Sequence, residues 1–184
     1  FHSLKTVYND EQAKAISETG WYCYNGTSLA TGCTGVGLIL AEITDATYKV
    51  LHFTDLNGFR LVNTLINNVW TGWKWENPPM FEGIEYVTME FLNGMAIHTQ
   101  LVDLGITSTD YSVTVSIPGI TALVRAVPTL DNRLCTDWDV DALVHTNNQF
   151  YFCPEKVAET VVFYMHCGSY RTGKNLKAQI WYTK

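Results

Sequence analysis

No catalytic signature is present in this sequence of 184 residues. It has no Gly-x-Ser-x-Gly elbow, no Gly-rich phosphate loop and no His-Glu-x-x-His pair, the local patterns of many hydrolases, nucleotide enzymes and zinc proteases. Charge is scarce as well, at 16% of residues, and the balance of 12 Lys+Arg against 18 Asp+Glu leaves −6. Before Pro78 there are 5 basic and 7 acidic residues, which leaves 7 and 11 from Pro78 onward (12 − 5 and 18 − 7). Neither half has the basic surface that a nucleic acid or an anionic membrane demands, so neither partner is expected. No apolar run approaches the roughly 18 residues of a membrane span, and no membrane insertion is expected. No internal repeat is present, which removes solenoids and β-helices. No secretory leader is legible, and Phe1 points to a fragment or a processed product.

Metal-ligand spacing is also missing. Cys23, Cys33, Cys135, Cys153 and Cys167 are spread singly, and five cysteines cannot all pair within one chain. Cys153 and Cys167 lie in apolar runs, where a free cysteine behaves as a small hydrophobe. Reduced thiols, and so assembly in a cytoplasm, are the expectation. His52, His98, His145 and His166 stand apart and read as ordinary strand histidines, so no metal or cofactor is expected.

What is present is apolar material for a core, 47% of residues, arranged mostly at strand period. One short helix is legible: Asn9 caps it, Gln12 occupies the capping-box position, "EQAKAIS" propagates it and Gly20 ends it. Strands are expected at 20–26, 36–43, 47–54, 59–63 and 69–75, each short, rich in β-formers and bounded by turn residues. "VGLILAEI" (36–43) is apolar on both faces and should be the central strand of the first half. Past Pro78-Pro79 the alternation is cleaner. In "YSVTVSI", Tyr111, Val113, Val115 and Ile117 share one face, so this reads as a half-buried antiparallel strand. "EYVTMEFL" (85–92) and "MAIHTQLVD" (95–103) flank Asn93-Gly94, a strong hairpin signal. Further strands are expected at 120–127, 148–153, 160–167 and 176–183. The fold class is therefore mainly β: a small β domain with a short N-terminal helix over 1–77, then an antiparallel β-sandwich or barrel-like domain over 78–184. The proline pair is the stiff joint between them, because it donates nothing to a ladder and restricts the residue before it.

Three tryptophans, Trp70, Trp73 and Trp75, crowd just before that joint. Trp73 and Trp75 share a face and read as the closure of the first core; a sugar-stacking platform or a subunit contact would use the same residue type. "TDWDVDALVH" (136–145) is the acidic cluster. If extended, it projects Asp137, Asp139 and Asp141 from one face and Trp138 from the other. Such carboxylates are solvated, accept sugar hydroxyls, or bind a hard cation such as Ca²⁺. The EF-hand template fails, since Ala142 stands at its turn glycine and Asn148 at its bidentate glutamate. "CGSYRTGKNLKAQIWYTK" (167–184) places Leu176, Ala178, Ile180 and Tyr182 on an apolar face. Trp181 then falls beside Lys177 and Gln179, and a tryptophan on a polar face needs a partner surface. Tyr170 and Arg171 sit in the turn before that strand, two residue types enriched at binding hot spots.

Together these segments carry a resemblance. "ETGWYCYNG", "GLILAEI", "YKVLHFT", "GFRLVN" and "VWTGWKW" resemble the pyocin-knob type of domain of phage tail fibres. "NPPMFEGIEYVTMEFLNGMAIHTQLVDLG" and the ending "LKAQIWYTK" are similar to the opening and closing of the head domain that follows such knobs. The stretch from 106 to 170 matches no family pattern. The chain also departs from the family at Val87-Thr88-Met89-Glu90, where a charged segment is usual. The resemblance implies a tail-fibre receptor-binding protein at a virion's fibre tip, assembled in the host cytoplasm. It implies a bacterial surface glycan as ligand, other tail or baseplate proteins as partners, and a homotrimer, with Trp181 at the subunit interface. The expected ligand contacts are Asp137, Trp138, Asp139, Tyr170 and Arg171. Catalysis is not expected: a glycosidase desolvates one of two carboxylates, and three acids on one open strand do that poorly. A polysaccharide depolymerase and a purely structural tail protein are the alternatives.

Overall fold

A computed structural model describes residues 4–131, 133–134, 150–167 and 172–184, with only the backbone at 133–134 and 150–151. The protein is mainly β and divides into two compact units. The first comprises Phe1–Pro79 with Tyr86–Met89; the second comprises Met80–Glu85 and Glu90–Lys184.

In the first unit, helix α1 (Asp10–Lys14) starts as its sequence dictates. The Asn9 side chain accepts from Gln12 N at 2.8 Å, and Gln12 Oε1 accepts from Tyr8 N at 2.8 Å. This is a capping box whose return bond reaches one residue further back than the usual one. The helix stops at Ala15 rather than Gly20, because Gly20 already opens a strand. A strand too short for any periodicity, β1 (Lys5–Val7), runs parallel to β2 (Gly20–Asn25). From β2 the chain continues antiparallel through β3 (Val36–Ile43), β4 (Tyr48–Asp55) and β5 (Arg60–Ile66). β3 lies inside this order, but only one of its faces is covered. Ile39 and Ala41 are fully buried while Val36 and Leu38 are about two-fifths exposed (40% and 41%). Helix α1 contributes Ala13 to the buried set, as does Ile16 just beyond it.

The run 69–75 is not one strand. It splits into β6 (Val69–Trp70) and β7 (Lys74–Asn77), both paired to β5. Gly72, at φ +81°, makes the break, a conformation that costs a glycine little. The break leaves Trp75 almost fully buried, edge-on to Tyr86 of β8 (Glu85–Leu92) at 5.5 Å. Trp73 sits edge-on to Phe53 at 6.5 Å and donates its indole N–H to Asp10 Oδ1 at 2.7 Å. These two tryptophans close the first core. Burying an indole of about 200 Å² contributes roughly 5 kcal/mol at ~25 cal/mol per Å².

The second unit is a sandwich of two open sheets rather than a barrel. One runs β9 (Met95–Ile106), β15 (Asn175–Thr183), β11 (Ala122–Leu130), β12 (Arg133–Leu134); the other runs β10 (Asp110–Ser116), β14 (Thr160–Cys167), β13 (Phe150–Val157). Asn93 and Gly94 both take positive φ (52° and 79°), as a two-residue I′ turn before β9 requires. One hydrophobic core joins the sheets: Val102, Leu104, Leu176, Ala178, Ile180 and Tyr182 from the first meet Phe152, Val161, Phe163 and Met165 from the second. The alternation read in "YSVTVSI" holds. Ile117 is buried, and Tyr111, Val113 and Val115 pack against the core but remain half-buried, because β10 is an edge strand.

Candidate ligand-binding end of the second unit

The residues expected to contact ligand, Asp137, Trp138, Asp139, Tyr170 and Arg171, lie outside the described residues. The described strands that flank them do meet. The acidic segment is bounded by Leu134 and Phe150, and the Tyr170–Arg171 turn by Cys167 and Thr172. Phe150, the first residue of β13, is the cross-strand partner of Cys167, the last of β14. Cys167 N donates to Thr109 O at 2.8 Å. On the other flank, Gly173 N donates to Thr107 O at 2.8 Å and Lys174 N to Thr107 Oγ1 at 2.9 Å. Thr107 N returns a bond to Lys174 O at 2.9 Å. Asp131, just before β12, is tied in as well: it accepts from Asn175 N at 3.0 Å and from Lys174 Nζ at 3.1 Å. Four stretches far apart in sequence are thus pinned at one end of the sandwich.

The outward side chains of β10 and β14 nearest this end are polar with an aromatic among them. On β10 and β14 the inward residues alternate with an outward set: Asp110, Ser112, Thr114 and Ser116 face across to His166, Tyr164, Val162 and Thr160. Asp110 Oδ1 lies 2.6 Å from His166 Nδ1. A carboxylate can only accept, so Nδ1 carries the proton, and in the neutral ring Nε2 is an acceptor for another donor. Both side chains are open to solvent, and Tyr164 exposes 44% of its surface beside them. A phenol ring offers a sugar its flat apolar face, and the Asp–His pair offers hydroxyls their hydrogen-bond partners. Beneath this face the Tyr111 hydroxyl is buried without a hydrogen-bond partner among the described residues, and burial pushes its pKa up to about 12. None of Asp110, His166 or Tyr164 stands out in the sequence. His166 and Asp110 are 56 residues apart, and only the register of β10 on β14 joins them.

The opposite end of the same sandwich carries a charged hub. Glu85 accepts from Lys184 Nζ at 2.6 Å, from His98 Nδ1 at 3.0 Å, and from the Tyr182 hydroxyl, which also reaches Gln100 Oε1 at 3.2 Å. Burial alone would push the Glu85 carboxyl up, but the bonds from Lys184, Tyr182 and His98 outweigh it and hold it below its usual value. Burial and the Glu85 charge push the Tyr182 phenol far up, so it stays protonated and donating. The His98 ring stacks on that of Tyr182 at 5.7 Å.

Trp181, half-buried on the face opposite the core, has a partner in its own chain. The Arg125 guanidinium lies 3.8 Å from its ring centroid. One face of the ring, expected to need a second subunit, is met from β11. Among the described residues no group of three or more His, Cys, Asp or Glu side chains is arranged to hold a metal ion.

No family model matches the chain, and no curated protein matches it. Its structural neighbours are tail fibres of pyocins. The C-terminal residues 323–701 of the R1 pyocin fibre of P. aeruginosa are 11% identical, with a TM-score of 0.33 over 100% of this chain and 68% of that one. An N-truncated R2-type pyocin tail fibre is 8% identical, with a TM-score of 0.31 over 98% and 96%. The C-terminal part of the R2 pyocin fibre of P. aeruginosa is 10% identical, with a TM-score of 0.31 over 98% and 66%.

Proposed function

We propose that this chain is the receptor-binding part of a phage-tail-like fibre, and that the pinned end of its second unit attaches to a bacterial surface glycan without cleaving it. The observation that carries the reading is the meeting of Phe150 with Cys167, which brings the flanks of the acidic segment and of the Tyr170–Arg171 turn to one end of one sandwich. The exposed Tyr164 and the Asp110–His166 pair lie on strands at that end and add the stacking and hydrogen-bonding groups a glycan wants. In the fibre the chain acts as a homotrimer alongside other tail proteins, and several weak contacts add up through avidity.

The test is affinity for soluble oligosaccharides from the host surface, measured monovalently. Arg171→Ala, Asp139→Ala and Asp110→Ala each remove one polar contact to a charged group. Each should weaken binding by about one to two decades with the fold intact. Undiminished affinity in all three variants overturns the placement, and release of reducing ends from purified polymer overturns the non-catalytic reading.

A further inference from the structure

A second feature, at the other end of the same sheet, is not absorbed by that reading. Between Leu123 and Arg125 the ladder from β11 to β15 slips by one residue: Leu123 faces Tyr182, and Arg125, not Val124, faces Trp181. The bulge decides which side chain meets the indole. In unbroken pairing Val124 would stand opposite Trp181; the extra residue re-aims Arg125 onto the ring instead, and bulges are over-represented where a side chain is re-aimed at a site. The guanidinium carbon lies 3.8 Å from the ring centroid, a cation–π contact that holds the group and its N–H donors over the indole.

Those N–H groups have no carboxylate to bind among the described residues. Lys5, Lys14, Arg60, Lys174, Lys177 and Lys184 each hold a carboxylate within 4.0 Å; exposed Arg125 does not. A guanidinium already held in place by the ring loses less freedom when it takes an oxyanion in bidentate fashion. The protein's net charge of −6 repels anions at long range, so attraction here must be local.

We propose that Arg125, held by Trp181, is a binding site for an oxyanion, a carboxylate or phosphate carried on a sugar, separate from the glycan-binding end. Along β15 the two ends are about 20 Å apart, from Asn175 to Trp181 at ~3.3 Å per residue. Arg125→Gln therefore leaves the first site untouched, and failure of one proposal does not imply failure of the other.

Glucose, glucuronate and glucose 6-phosphate, titrated into the full chain at low salt, test this by following the Trp181 indole N–H signal in NMR. Glucuronate, glucose 6-phosphate or both should move it saturably while glucose does not, and the anion that acts identifies the carboxylate or phosphate source. Arg125→Gln should weaken that response about tenfold or more, and Arg125→Lys, which keeps charge but loses the fork, should weaken it too. The substitution is at an exposed side chain, and a thermal melt of each variant separates lost binding from lost folding. The proposal is overturned if neither anion gives a saturable shift, if glucose acts as well as they do, or if folded Arg125→Gln titrates like the parent.

Discussion

Replacing Glu85 should cost the second unit stability in a way that depends on pH. The carboxylate is a three-way acceptor for Lys184, His98 and Tyr182, and of these only Tyr182 is fully buried. The bonds from Lys184 and His98 involve side chains with access to water (32% and 16% exposed) and contribute little each. The Tyr182 bond, from a buried hydroxyl to an ionised acceptor, falls in the range of about 1.5–3 kcal/mol. Gln100 Oε1 is within 3.2 Å of the same hydroxyl and remains when Glu85 is removed, so the donor is not orphaned. Glu85→Ala should therefore lose about 1.5–2 kcal/mol at pH 7, near the lower end of that range. In a double-mutant cycle with Tyr182→Phe, most of that loss should be coupling energy. The Glu85 pKa is lowered in the folded state, so the unfolded chain binds the proton more readily. Its stabilisation is therefore fully present above the unfolded value of about 4.3 and is lost as pH falls through the lower folded value. Urea melts of the parent and of Glu85→Gln at pH 7, 4 and 2.5 read this directly: the gap between them should close at the acid end. A gap that is constant with pH, or coupling below about 0.5 kcal/mol, would refute the reasoning.

Other substitutions probe the fold and the assembly. Val115→Asp places a carboxylate against the sandwich core beside fully buried Val161, and should cost about 3 kcal/mol or more, whereas outward Thr114→Asp should cost under about 0.5 kcal/mol; equal tolerance in urea melts would show that the facing of β10 is wrong. In the first unit the buried Asp55 carboxylate accepts from the backbone N–H of Thr34, Asn57 and Phe59 at 3.1, 2.8 and 3.0 Å, so Asp55→Ala should destabilise that unit by about 2–3 kcal/mol, and an unchanged melt contradicts this. Light scattering on a longer fibre segment should give three copies; a monomer there would remove the trimer from the account.

The strands were legible because most have apolar residues at period two and their ends carry Asn, Gly and Asp; β9, β10 and β14 needed nothing more, while β3 was legible as a short apolar run. Helix α1 was legible at its start, where Asn9 and Gln12 act on their own neighbours, but not at its end, which depends on where β2 begins. Two features depend on pairing between distant residues and leave no local trace: β1 against β2, and the bulge that sets Arg125 over Trp181. The same holds for Glu85, whose phenol partner is 97 residues away. Asp137, Trp138, Asp139, Tyr170 and Arg171 are legible as an acidic cluster and a turn within a stretch that matches no family pattern; strand register supplies the further fact that their flanks meet.

The central claim is attachment through the pinned end of the second unit, and cell binding tests it most directly. A fluorescent fusion of the whole chain, incubated with a panel of bacteria, should label some strains, and free surface polysaccharide from those strains should compete. The Asp110→Ala, His166→Ala double variant, which alters only exposed side chains, should keep its melt and lose the labelling. Labelling that survives this change and that of Arg171→Ala, or that free polysaccharide does not displace, would contradict the account.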